Sequence, residues 1–433
     1  MGATFTVITL ARRGMATSPV RRAAGGWSSF LPLWRHSRTL PEPALLSPLS
    51  ISSLSSAAAL PRQAWMQLCP PGHPFLNADF LAIVERHGAA SPEWGWTPRH
   101  LVARDASAAI VGILPVYLKS HSHGDFIYDW SWAAAYRQLG RQYYPKLMSC
   151  LPHTPVAGTR LLVAEGPHAP AIRQALIEGA KALASACSAS SWHVALATER
   201  ETSLLRDAGL LISQDVQFHW LDPGCGDFDG YLATFSAAKR RKVRAERRRV
   251  AESGLVLETL HGDQIDVAEW PVLHALYAST FARFNNHAAL SAACFADLAA
   301  LLGRRMVAFI ARQRGLPVAV AICFRDDESL YGRYWGCQGH YPGLHFELCF
   351  YQGIAYCLRQ GLRRFEPGAG GEHKLARGFV PTVVHSAHWI ADPAMRELLG
   401  RHLALQAQAV AEYRDEAAEH LPFRRDRSPS RPG

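Results

Sequence analysis

The chain has 433 residues, 48% of them hydrophobic and 10% aromatic, which is enough to build real cores and excludes a disordered polymer. Its net charge of +10 is uneven: residues 1–62 carry seven Arg against one Glu, and the segment Lys239–Arg249 holds eight Lys or Arg against Glu246, leaving a net acidic body. The nine scattered cysteines, none in CxxC spacing, exclude a disulfide framework and a structural zinc site, and no apolar run reaches the roughly eighteen residues of a membrane-spanning helix.

Residues 1–47 are rich in Ser, Arg, Ala and Pro and nearly free of acid. That composition suits a disordered extension, a stretch upstream of the true start, or an organellar targeting peptide. From Leu60 onward regular patterns begin. "NADFLAIVERHG" places Phe80, Leu81 and Val84 on one helical face, with Gly88 as a stop. "RHLVARDASAAIVGILPVYLKSH" reads as two strands around a turn at 105–109, and "DFIYDWSW" as a further strand. A helix over "HAPAIRQALIEGAKALASAC", a buried strand "WHVALAT", a short helix "TSLLRDAGL" and a closing strand "DVQFHWLD" complete the first half.

The second half repeats this order. It opens with the basic stretch as a helix, with Leu232, Phe235, Val243 and Val250 near one face. A strand "LVLETL" and two helices follow. Residues 306–336 read as three strands joined by turns at Arg314–Gly315 and Asp326–Asp327. An amphipathic helix "FELCFYQGIAYCLRQG", a strand "RRFEPG", a short helix or loop "EHKLARGF" and a strand "TVVHSAHWI" end the pattern. Paired strings, such as "FHWLDP" with "AHWIADP", support a duplication. The expected units are 48–222 and 223–423, with a disordered tail over 424–433.

The order of elements resembles the GNAT acyltransferase fold, and two fused copies resemble the Fem proteins. The strings "HPFLNADFL", "YYPKL", "GRYWG", "LHFELCFYQGIAYCL", "FEPGAGGEHKLARGF" and "SAHWIADP" resemble the FemAB-like branch of the GNAT superfamily over about residues 60–400. The resemblance implies a mixed α/β fold of tandem GNAT-like domains with mixed central sheets. It implies transfer of an acyl or aminoacyl group to an amine, with a small molecule or a peptidoglycan precursor as acceptor. The donors it implies are acyl-CoA and aminoacyl-tRNA, with no tightly bound cofactor and no metal. "RYWGCQG" is the nearest string to the pyrophosphate-binding turn of CoA-dependent members, and Gln338 stands where they have Gly or Ala. This favours aminoacyl-tRNA. A CoA-dependent acetyltransferase and a non-catalytic recognition module are the alternatives. The cysteines fit a reducing, cytoplasmic setting, and the sequence leaves the oligomeric state open.

Acyl transfer to an amine requires a group to take a proton and groups to hold a developing oxyanion. The loop "GAGGEHKLARGF" offers Glu372 and His373 as base or relay, and Lys374 and Arg377 as anion-holding cations beside three glycines. Lys374 is the closest match to the loop lysine of Fem enzymes. Glu347 and His345 begin the preceding helix, and Arg333 and Tyr334 lie on the strand before it. The first half is expected to supply an acceptor pocket from Lys119, His121, Asp129, Trp130, Tyr136 and Lys146. Arg240, Arg241 and Arg244 of the basic helix are expected to contact phosphates of tRNA or of a nucleotide-linked precursor, with a membrane surface as the second candidate.

Overall fold

The computed structural model describes residues 49–424 apart from Pro71 and Phe284, so the N-terminal extension and most of the tail lie outside the described residues. Among the described residues, fifteen strands form two sheets. In the first half they are β1 (Ser50–Leu54), β2 (Trp96–Pro98), β3 (His100–Arg104), β4 (Ile110–Leu114), β5 (Tyr117–Lys119), β6 (Lys146–Ser149), β7 (Leu162–Val163), β8 (Ser191–Ala197) and β9 (Leu211–Leu221). In the second they are β10 (Val256–His261), β11 (Met306–Gln313), β12 (Leu316–Arg325), β13 (Ser329–Cys337), β14 (Arg364–Glu366) and β15 (Val380–Ile390).

Local rules explain most of these elements. Asn77 accepts the Asp79 N–H at 2.9 Å and starts the helix Ala78–Arg86, whose Phe80, Leu81 and Val84 are buried. Arg314 and Gly315 both take positive φ, 53° and 82°, as a tight hairpin turn between β11 and β12 requires. The next turn closes when the Asp326 carboxylate accepts the N–H groups of Glu328 and Ser329 at 2.8 and 2.6 Å.

Eleven strands run in one sheet in the order β10-β11-β12-β13-β14-β9-β15-β8-β6-β5-β2, and β1, β3, β4 and β7 form a second. Each half lends its last strand to the other. β15 lies between β8 and β9, and β9 lies between β14 and β15. The strand alternation of β11 feeds two cores. Met306, Ala308 and Ile310 enter a core shared with Trp96, Val102 and Met148 of the first half. Val307, Phe309 and Ala311 enter a second core under the basic helix Ala237–Ala251, with Val243 and Val250.

β1, β2, β6, β7 and the helix Arg62–Leu68 add to the elements read from the sequence, and two further differences are larger. "DFIYDWSW" is not a strand. Phe126 and Tyr128 take positive φ, 59° and 58°, and the helix Trp130–Gln138 follows. The cause is Lys146, whose amine draws Asp125 (2.8 Å) and Asp129 toward itself from both sides of the loop. The longest helix, Pro393–Glu419, has no counterpart in the elements read from the sequence. Its signal is nonetheless present: Asp392 accepts two N–H groups and Pro393 occupies the first turn. It packs across β9 and β15.

Candidate functional site

The second-half residues divide between the two faces of the sheet. Glu347, His345, His373, Lys374 and Arg377 gather on the face covered by the basic helix. The helix that carries Glu347 opens at Leu344–Phe346, passes through a π turn at Glu347–Tyr351 and continues as Gln352–Gln360. That wide turn aims Glu347 and Tyr351 at the basic helix. Two crossed ion pairs result. Arg247 donates to Glu347 at 3.1 Å, and Arg377 donates to Glu246 at 3.0 Å. Glu246 reaches across to Arg377 and accepts from the Tyr351 hydroxyl. The Arg377 guanidinium also lies 3.5 Å over the Phe346 ring. His345 and His373 share an aromatic cluster with Phe346 and Phe350. Burial and the neighbouring His373, Arg377 and Lys374 push the His345 imidazole down to about 4, so it is neutral.

Lys374 is buried, and its amine donates to the carbonyl of Gly368 at 2.6 Å, with Ala369's carbonyl at 3.4 Å. It therefore closes the loop Gly368–Gly371, whose glycines at 368, 370 and 371 all take positive φ that other residues resist. Burial lowers its amine to about 8, near the point where it exchanges a proton at physiological pH. Glu372 faces outward instead and accepts the Tyr413 hydroxyl of the C-terminal helix at 2.8 Å.

Beside the crossed pairs lies an open groove of about 410 Å³, lined by Phe228, Asp229, Arg244, Arg247, Arg248 and Glu347 among others. Arg240 and Arg241 stand outside its lining. Arg244 holds Asp229 at 3.2 Å in an exposed pair, which contributes little to stability and leaves the guanidinium available.

Arg333 and Tyr334 sit on the other face. Arg333 donates to the His153 carbonyl of the first half, and Tyr334 packs against Tyr277 and Phe295. "RYWGCQG" is β13 as far as Cys337, and the Gln338 N–H donates to the Val318 carbonyl at 2.9 Å.

In the first half, Lys119, Asp129, Tyr136 and Lys146 are buried, whereas His121 and Trp130 reach the surface. Lys146 and its two aspartates begin a buried chain. Tyr143 donates to Asp129 at 2.5 Å and meets His193 at 3.1 Å; His193 meets His388 of β15 at 2.7 Å, and His388 meets Ser213 at 2.8 Å. Burial holds both imidazoles neutral, His388 down at about 3. Sequence order hides this contact, since His193 and His388 lie 195 positions apart.

The family model FemAB_like, described as peptidoglycan biosynthesis/recognition, matches residues 56–425. The chain belongs to the FemAB-like family. Among solved structures the FemAB-like chain is similar to FemX (11% identity, 74% of this chain and 97% of that one, TM-score 0.44). It is similar to L-PGS from Bacillus licheniformis (12%, 77% and 99%, 0.45) and to a tandem GNAT protein from the clavulanic acid biosynthesis pathway (16%, 80% and 99%, 0.43). No curated protein matches it. Among the described residues of this FemAB-like chain, no helix is long and apolar enough to cross a membrane and no cluster of ligating side chains suits a metal.

Proposed function

We propose that this FemAB-like protein transfers an acyl or aminoacyl group to an amine, with a peptidoglycan precursor or its building block as acceptor. The observation that carries the reading is the pair of crossed bridges, Arg247–Glu347 and Arg377–Glu246, which lock the arginine groove of the basic helix onto the glycine loop holding Lys374. A phosphate-bearing donor docks along Arg244, Arg247 and Arg248, and its carbonyl approaches the loop. Lys374 and Arg377 then stabilise the oxyanion. Arg240 and Arg241 extend the contact to phosphates further along a tRNA. Gln338 stands where CoA-dependent members have Gly or Ala in the pyrophosphate-binding turn, which favours aminoacyl-tRNA over acyl-CoA. A recognition module without turnover is the second reading, favoured because Lys374's amine is already engaged by loop carbonyls.

The test pairs donor and acceptor. Purified protein is incubated with acetyl-CoA or charged tRNA and with muropeptides or free amino acids, and products are read by mass spectrometry. Transfer that disappears in Lys374→Met and weakens in Arg248→Ala supports the proposal. Binding without product from every donor supports the recognition module instead.

A further inference from the structure

Around the end of β14, three side chains carry buried polar atoms without partners among the described residues. Glu366 ends β14 and is 3% exposed. The Ala157 N–H faces this carboxyl and Arg364 Nε stands 3.2 Å from Oε1, but neither contact has good hydrogen-bond geometry. Arg160, 1% exposed, gives its terminal nitrogens to the carbonyls of Val156 (2.7 Å) and Thr159 (3.2 Å) but leaves Nε unpartnered. His73 accepts the N–H groups of Phe75 and Leu76 on Nδ1, at 3.3 and 3.2 Å. Its ring proton therefore sits on Nε2, which also has no partner.

These groups adjoin one another. Arg160's charge acts on both Glu366 and His73. A methyl group on Gly158 would lie 3.1 Å from Arg160 Nη1 and 3.6 Å from His73 Nε2, so both groups lie against this glycine. Unfilled hydrogen-bond capacity is costly at such depth, and its pattern defines a complement. Two donors, His73 Nε2–H and Arg160 Nε–H, suit one anionic oxygen group. The Glu366 carboxylate suits an ammonium close by.

We propose that His73, Arg160 and Glu366 form a binding site for a small α-amino acid, its carboxylate on His73 and Arg160 and its amino group on Glu366. This deepens the transferase reading, on which only the role of acceptor rests. Glu366 precedes by two residues the Gly368 carbonyl held by Lys374, so the bound amine lies at the root of the transfer loop. In the transfer its nitrogen bonds to the donor's acyl carbon, and that carbon's bond to the donor's leaving oxygen or sulfur breaks. One proton of the bound ammonium first passes by way of Glu366 to solvent, freeing the nitrogen lone pair, and a second passes to the leaving group as the amide forms. A small amino acid fits better than a whole peptide because Arg160 and Glu366 are buried.

Isothermal titration of the full chain with glycine, methylamine and acetate tests the site. Saturable glycine binding is expected, with each half-ligand at least about tenfold weaker. Glu366→Gln and Gly158→Ala are each expected to weaken glycine at least about tenfold; Gly158 has no positive φ, so alanine is tolerated by the backbone. Absence of saturable glycine binding to the wild type overturns the proposal without relying on any variant. So does binding that both variants leave unchanged. Salt-dependent tRNA binding, measured on the same proteins, reports on the arginine groove; its loss sinks the donor reading while leaving the amino-acid site standing.

Discussion

Replacing Glu366 by glutamine tests whether the protein buries a carboxyl that it does not satisfy. Burial raises this carboxyl to about 7, against an ordinary value of 4.5, while Arg364 and Arg160 pull it down and Asp326 pushes it up. The folded state therefore keeps a proton that the unfolded chain has already released. Wild-type stability falls as pH rises from about 4.5 and stops falling above about 7. Glutamine has no proton to lose and escapes the fall. A shift of this size predicts that Glu366→Gln gains about 2 kcal/mol relative to wild type between about pH 5.5 and pH 8.5. Urea unfolding of both proteins at the two pH values gives the difference directly, with the surrounding charges common to both. A stability difference that does not change with pH refutes the reasoning and returns Glu366 to an ordinary ion pair with Arg364.

Glu246→Ala strands the buried Arg377 guanidinium and is expected to cost about 3 kcal/mol, whereas adding Arg377→Met restores part of it; strictly additive losses in a double-mutant cycle contradict the crossed-pair geometry. Lys374→Met frees the Gly368 and Ala369 carbonyls, so hydrogen exchange of residues 368–371 is expected to accelerate about tenfold with little change elsewhere, as measured by mass spectrometry. His193 and His388 both titrate below the usual imidazole range, so stability is complete above about pH 6.5 and is lost as pH falls; His388→Gln is expected to lessen the acid-side slope by about 1.4 kcal/mol per pH unit, read from denaturant midpoints. Gly336→Ala would set a methyl carbon 2.0 Å from the Leu276 carbonyl oxygen, a backbone atom that cannot swing away, and thermal melts are expected to drop steeply.

Most elements were legible because their signals are local. Alternation in β11 and β12, the Arg314–Gly315 turn and the Asn77 cap each act within a few residues. "DFIYDWSW" misled because its composition suits a strand while its backbone answers to Lys146, which contacts it from 17 residues away. The glycine loop was legible as a cluster of ionisable groups. Its wiring was not. Arg377 and Glu246 are 131 positions apart, and Arg247 and Glu347 are 100 apart. Glu366 escaped notice for a different reason: its lack of partners is a property of the folded surroundings, and a strand "RRFEPG" with one acid looks unremarkable by itself.

The exchanged final strands constrain how this protein can move. With β9 inserted between β14 and β15, and β15 between β9 and β8, no seam runs between the halves along which a hinge could open. A gene cut at the midpoint then yields two fragments, each missing a central stave of its own sheet.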